Sequence, residues 1–228
     1  AERVRDGTTL SIAPTVVTAM SQLSSVRLSE SNPTVLEEEA TTYAPYLRDV
    51  ATSRGYESLL LIHVDGTVLY SSTDQLKPGA KLTSESLGTT ELAKSFDRSR
   101  TLLQSEMCQF APFGKSGKPT AFVTSPIFQR EKVVGVLALQ LPIDRVWQIL
   151  TDTTGLGATG EILTAERIDN TARITTPLRH RSDAAYELTI PLTVEKAVAA
   201  RHASSGNRSL SAKSFEVHQD FRSYALCR

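Results

Sequence analysis

Three glycines, Gly155, Gly157 and Gly160, stand at the G-x-G-x-x-G spacing that can cradle a pyrophosphate. That chemistry needs a strand before the glycines and a helix N-terminus after them, so that backbone amides and the helix dipole meet the phosphate. Here the order is reversed. Residues 144–150 have helical spacing and residues 161–165 read as a strand, so the glycines are expected to link helix to strand and to hold no nucleotide. The consecutive carboxylates Glu37, Glu38 and Glu39 are better placed to complement the positive end of a helix dipole than to act as a catalytic pair. Cys108 and Cys227 fall in different expected modules and read as a buried small hydrophobe and a strand residue, not as a disulfide. His63, His180, His202 and His218 are scattered without H-x-x-x-H or cysteine partners at ligand spacing, so no metal and no cofactor is expected. G-x-S-x-G and P-loop patterns are absent as well, and the chain is not expected to be an enzyme.

The elements that would position any site centre on residues 120–161. Residues 121–128 are rich in β-branched and aromatic side chains, and residues 129–132 are polar, which suits a hairpin. Residues 133–141 are apolar on nearly every position of both parities, so this strand should be covered on both faces. Pro142 ends it, Asp144 can cap the next helix, and Val146, Trp147 and Leu150 have helical spacing.

Upstream, Ile12, Val16, Met20 and Leu23 form one apolar helical stripe, with Pro14 tolerated in a first turn. A second helix after Pro33 presents Leu36, Ala40, Tyr43, Leu47 and Val50, with a kink expected at Pro45. This second helix should dock on the protein's own sheet; a narrow stripe of this kind also suits pairing with a second copy. A strand at 58–64, the Asp65-Gly66 turn and a return strand at 67–71 make a hairpin. A short helix (91–98) and three further strands would complete a five-stranded antiparallel sheet, with helices on one face and a loop-covered concave face on the other. From residue 161 the pattern restarts in reduced form, with strands at 161–165, 173–178 and 215–227 and a helix near 194–201.

With 228 residues the chain can build two cores. Its 25 basic and 25 acidic residues balance without a basic block, which gives no footprint for nucleic acid. No apolar run reaches membrane-spanning length.

The segments PTAFVTSPIF, EKVVGVLALQLPIDRVWQIL and TGLGATGEI, continued by ITTPLRHRSDAA and QDFRSYALCR, resemble the double Cache sensor domains of bacterial transmembrane receptors. The resemblance implies an α/β (α+β) fold in which a long N-terminal helix leads into two tandem PAS-like modules with antiparallel sheets. It divides the chain into an N-terminal signalling helix (1–31), a membrane-distal module (32–151) and a membrane-proximal module (152–228). It also implies an extracytoplasmic, periplasmic location in an inner-membrane protein, transmembrane helices on both sides of the segment, and homodimerisation through the first helix. A small-molecule ligand would bind the distal module. The parent would be a sensor histidine kinase, with diguanylate cyclase and chemoreceptor parents as alternatives; a ligand-free protein-interaction module is the rival from another class.

By the same resemblance, the stretch EMCQFAP (106–112) lies beside the distal pocket, with Glu106 as polar anchor and Phe110 as a wall. On the neighbouring strand Phe122 and Thr124 share one parity and Val123 and Ser125 the other, so one pair should face the pocket. Phe122 and Thr124 are taken as that pair, and Tyr70 as the residue closing the rim. Glu106 can instead pair with Arg98 or Arg100, and the aromatics can be core. The chain departs from the amino-acid-binding subset of the family, because Arg, Trp and Tyr do not recur at that motif's spacing. An acidic anchor points to a cationic or hydroxyl-bearing ligand.

Overall fold

The computed structural model describes residues 2–29, 33–114, 117–156, 162–193 and 226–227. The chain is α+β and divides into two compact units, Ala1–Ile143 and Asp144–Arg228.

The first unit opens with helices. The N-terminal segment is two helices, α1 (Glu2–Ser11) and α2 (Pro14–Ser29), because the chain breaks at Ile12 and Ala13 ahead of Pro14. Val16, Met20 and Leu23 are fully buried as their spacing requires, but Ile12, expected on the same stripe, is 65% exposed at the break. The next helix is likewise two, α3 (Pro33–Ala40) and α4 (Ala44–Ser53), where a kink was expected. Pro45 sits in the first turn of α4, where its missing N–H costs no hydrogen bond, so it starts a helix instead of bending one.

Strands β1 (Ser58–His63) and β2 (Val68–Ser71) flank the Asp65-Gly66 turn, with Gly66 left-handed at φ +85°. Helix α5 (Glu91–Leu102) is capped by Thr90, whose hydroxyl accepts the Ala93 N–H at 3.3 Å. Then come β3 (Glu106–Met107), β4 (Ala111–Phe113), β5 (Lys118–Gln129) and β6 (Lys132–Pro142). The sheet has six strands, not five, because the 106–113 stretch contributes two short ones. Its order is β2-β1-β6-β5-β3, with β4 also on β5, and the pairs are antiparallel. As the apolar run implied, β6 lies between β1 and β5, and Val136 to Leu139 are 0% exposed.

Register assigns the two faces. One row of partners is Leu60, Ala138, Thr124 and Glu106, and the next is Ser58, Gln140 and Phe122. This face meets α5, since Ser95 on that helix bonds Thr124. The opposite face carries Leu61, Leu137, Ser125 and Tyr70. It meets α1 and α2: Gly7 packs over Ser125 and Val123, and Met20 lies over Gly135. Helices therefore cover both faces, four on one side and α5 on the other.

The second unit begins with α6 (Asp144–Leu150), where the sequence reading had ended the first module at residue 151. Strands β7 (Ile162–Leu163), β8 (Ala165–Ile168), β9 (Thr171–Ile174), β10 (Thr189–Pro191) and β11 (Leu226–Cys227) follow. β10, β9 and β8 form an antiparallel sheet over a core of Ala165, Ala172, Ile174, Ala184 and Leu192, and β11 pairs with β7. The strand expected at 173–178 lies instead at 171–174, because Thr175 and Thr176 turn to bond Thr164. Trp147 anchors α6 by donating to the Thr175 carbonyl at 3.1 Å. The helix expected near 194–201 and most of the last expected strand lie outside the described residues, as do Gly157 and Gly160. No helix among the described residues is long and apolar enough to cross a membrane.

Candidate functional site

The α5-facing side of the first sheet gathers three of the five expected site residues. Glu106 and Thr124 are direct cross-strand partners, and Phe122 is two residues along on the same face. Phe110 is 8% exposed in the segment between β3 and β4. Tyr70 is not with them. Through Leu61 and Leu137 it shares the opposite face with Ser125, and its hydroxyl reaches the Ala44 carbonyl at 3.5 Å, so it cannot close a rim over Glu106. Burial raises the Tyr70 hydroxyl above its ordinary pKa, against an opposing effect of Arg48.

Glu106 is not a free anchor. Arg98 on α5 donates through Nε to its carboxylate at 2.5 Å, and this bond raises the Arg98 pKa further. Arg100, the other expected partner, pairs with Asp97 instead. Thr124 is 0% exposed: it donates to the Ser95 carbonyl at 3.2 Å, and the two hydroxyls lie 2.7 Å apart. Phe122, 1% exposed, meets Phe113 edge to face with centroids 4.9 Å apart. A cationic ligand therefore has no unpaired carboxylate at Glu106, and the expectation drawn from an acidic anchor is corrected by the Arg98 pair.

The residue that stands out chemically was missed. Gln140, on β6 between Ser58 and Phe122, is 2% exposed, and its Nε2 has no hydrogen-bond partner among the described residues. A buried amide donor left unpaired costs about 1–3 kcal/mol, so such groups are normally matched by protein, water or ligand. Beside it Ser58 Oγ accepts from the Ser72 and Thr73 hydroxyls at 3.4 and 3.3 Å, leaving its own proton to give. Gln140 and Ser58 thus share one face with the Phe122 ring, an arrangement that can present two donors to an acceptor oxygen. The signal was present in the sequence: Gln140 is the one polar side chain in the run from Val133 to Leu141.

Cys108 continues the same face. Its Sγ accepts the Phe122 N–H at 3.0 Å, it is a free thiol, and burial pushes its pKa up to about 11. A thiol held that far above its ordinary value carries about a hundredfold less thiolate at neutral pH. In a Cys227→Ser background, alkylation by iodoacetamide at pH 8 is expected to be at least that much slower in the folded than in the urea-unfolded chain. Equal rates would mean that the thiol is accessible. Among the described residues no group of three His, Cys, Asp or Glu side chains gathers to hold a metal ion.

No family model and no curated protein matches the sequence. Among solved structures, the fold is similar to the sensor domain of the histidine kinase DctB of V. cholerae, at 15% identity and a TM-score of 0.49, covering 72% of this chain and 54% of that one. It is similar to the sensor domain of DcuS of E. coli, at 15% identity and a TM-score of 0.45, covering 67% and 95%. The ligand-binding domain of the Pseudomonas aeruginosa amino acid chemoreceptor PctC, in complex with GABA, matches at 15% identity and a TM-score of 0.46, covering 78% and 70%. The chain thus spans about half the length of the DctB chain. All three of these neighbours are sensor or ligand-binding domains.

Proposed function

We propose that this chain is the extracytoplasmic, small-molecule-sensing part of a bacterial transmembrane receptor. The observation that carries the reading is the buried, unpaired Gln140 amide beside the Ser58 hydroxyl and the Phe122 ring. The ligand offers an acceptor oxygen to that pair of donors and lies between the sheet and α5. The first unit binds and the second transmits toward the membrane, with flanking transmembrane helices outside the segment. Its parent is a sensor histidine kinase in the first instance, with a diguanylate cyclase or chemoreceptor as the alternative.

A second reading is favoured by one observation. Phe122 and Thr124 are already covered by Phe113 and Ser95, so the protein's own side chains fill part of the expected pocket. On that reading the unit is an interaction module whose signal comes from a partner protein.

A thermal-shift screen with organic acids, amines, nucleobases and sugars separates the two. At about ten times Kd a ligand stabilises the fold by about 1.4 kcal/mol, which for a domain of this size is roughly 3–6 °C. A saturable rise of that order with an acceptor-bearing compound is the expected result. No shift in any class overturns the small-molecule reading and leaves the interaction module.

A further inference from the structure

The turn between β1 and β2 is gripped from both sides of the sheet. On the side of the N-terminal helices, Arg27 in the last turn of α2 forms an ion pair with Asp65, and His63 Nδ1 lies 2.8 Å from the same carboxylate. Asp65 also accepts the Thr67 N–H at 3.1 Å. Burial works to raise the Asp65 pKa, but the hydrogen bonds from His63 and Thr67 outweigh it and hold the carboxyl below its ordinary value.

On the other side α5 takes hold of the neighbouring residues. Arg100 donates to the Val64 carbonyl at 3.2 Å, and its guanidinium lies 5.5 Å from the centroid of the Phe96 ring. Phe96 in turn packs against Gly66: a methyl group built there would sit 3.7 Å from the ring. The Leu82 N–H donates to the Gly66 carbonyl at 2.8 Å, which ties in the loop before α5. Three consecutive turn residues, Val64, Asp65 and Gly66, therefore meet α5, α2 and α5 in alternation.

This matters because α2 and α5 cover opposite faces of the sheet. The turn at the end of β1 gives them a short shared contact around its edge. Elsewhere α5 is seated by the buried Leu92 and Phe96 side chains and by two polar bonds to the sheet, Ser95 to Thr124 and Arg98 to Glu106. Directional bonds of this kind have discrete partners, so a displaced helix exchanges them as a set and does not slide continuously.

We propose that the β1–β2 turn is a mechanical clamp coupling α5, the cover of the ligand face, to the C-terminal end of α2. Its role in signalling rests on the ligand face assigned above, but the coupling itself is a property of the unliganded fold. An α5 displaced by ligand releases or shifts Val64 and Gly66. Asp65, between them, carries Arg27 and the end of α2 with it. Coupling free energies are reciprocal, so loosening either helix must loosen the other.

Hydrogen exchange on the full 228-residue chain tests this without a ligand. Arg100→Ala is expected to speed amide exchange at 22–28 in α2 by roughly threefold or more, and Arg27→Ala to do the same at 94–100 in α5. Lys94→Ala, which removes an exposed pair with Glu91 on α5 and touches no turn residue, should leave α2 unchanged. Changes confined to the mutated helix overturn the proposal. A uniform rise that includes β5 and β6 overturns it too, because that reports general loosening. Neither outcome bears on whether a ligand binds at Gln140, which the thermal-shift screen decides separately.

Discussion

Replacing Gly135 with alanine is expected to destabilise the first unit by about 3 kcal/mol or more, at the upper end of what overpacking costs. A Cβ at this position would lie 2.0 Å from Met20 Cε, 2.9 Å from Met20 Sδ and 2.4 Å from the Ile62 carbonyl oxygen. The methionine can swing away. The carbonyl cannot, because it belongs to β1, and Gly135 itself is held between His63 on one side and Ile127 on the other. At Gly7 the corresponding atoms are the side chains of Ser125 and Val123, which can yield, so the two close approaches differ in kind. For a domain of this size the loss at Gly135 corresponds to a fall in Tm of roughly 6–12 °C. Urea or thermal denaturation measures it directly. Combining Gly135→Ala with Met20→Ala should not restore the stability of Met20→Ala alone, since the carbonyl clash persists. A cost below about 1 kcal/mol would mean that β1, β6 and α2 do not meet as closely as this geometry requires.

That close approach also shows which parts of the fold could be read from the chain. The hairpins were legible because their turns and strand edges are set by neighbours in sequence: Asp65-Gly66, the polar 129–132 tip, and Pro142 after the apolar run. The Arg130-Glu131 turn adopts left-handed conformations at φ 47° and 65° without a glycine, so its strands and not its turn residues betray it. The breaks before Pro14 and at 41–43 were less legible, because an apolar stripe continues through either a kink or a restart. The site failed at Tyr70 for a different reason. Parity along one strand sorts residues into two sets, but which set faces which layer depends on register through β2, β1, β6 and β5. The β1–β2 pairing even shifts between Leu61 and Ile62, so alternation counted from the turn does not carry across. Glu106 and Thr124 could be placed together because a single ladder joins them. In the second unit, β10 had no counterpart among the expected strands; it is only three residues long and ends on Pro191, whose missing donor is tolerated at that last position.

Gln140→Leu is expected to stabilise the unliganded protein while weakening ligand binding, and the opposite signs are the point of the experiment. Leucine is close to glutamine in volume and suits a position that is 2% exposed between β1 and β5. The substitution removes an amide whose Nε2 is buried without a partner, and with it a desolvation cost of about 1–3 kcal/mol. At roughly 2–4 °C per kcal/mol, Tm should rise by several degrees. Ligand affinity should fall about threefold to tenfold if the acceptor is neutral, and up to about a hundredfold if it is charged, because the lost bond is then charge-assisted. Phe122→Ala is a poorer probe. At 1% exposure its removal costs about 3–5 kcal/mol of packing whether or not a ligand touches the ring. Two outcomes of Gln140→Leu would count against the site. A fall in Tm would show that the amide is already satisfied within the fold, and unchanged affinity for a screened ligand would place that ligand elsewhere. Joint gain of stability and loss of binding is the signature of a group kept in the core for what it binds, at a cost to the fold that holds it.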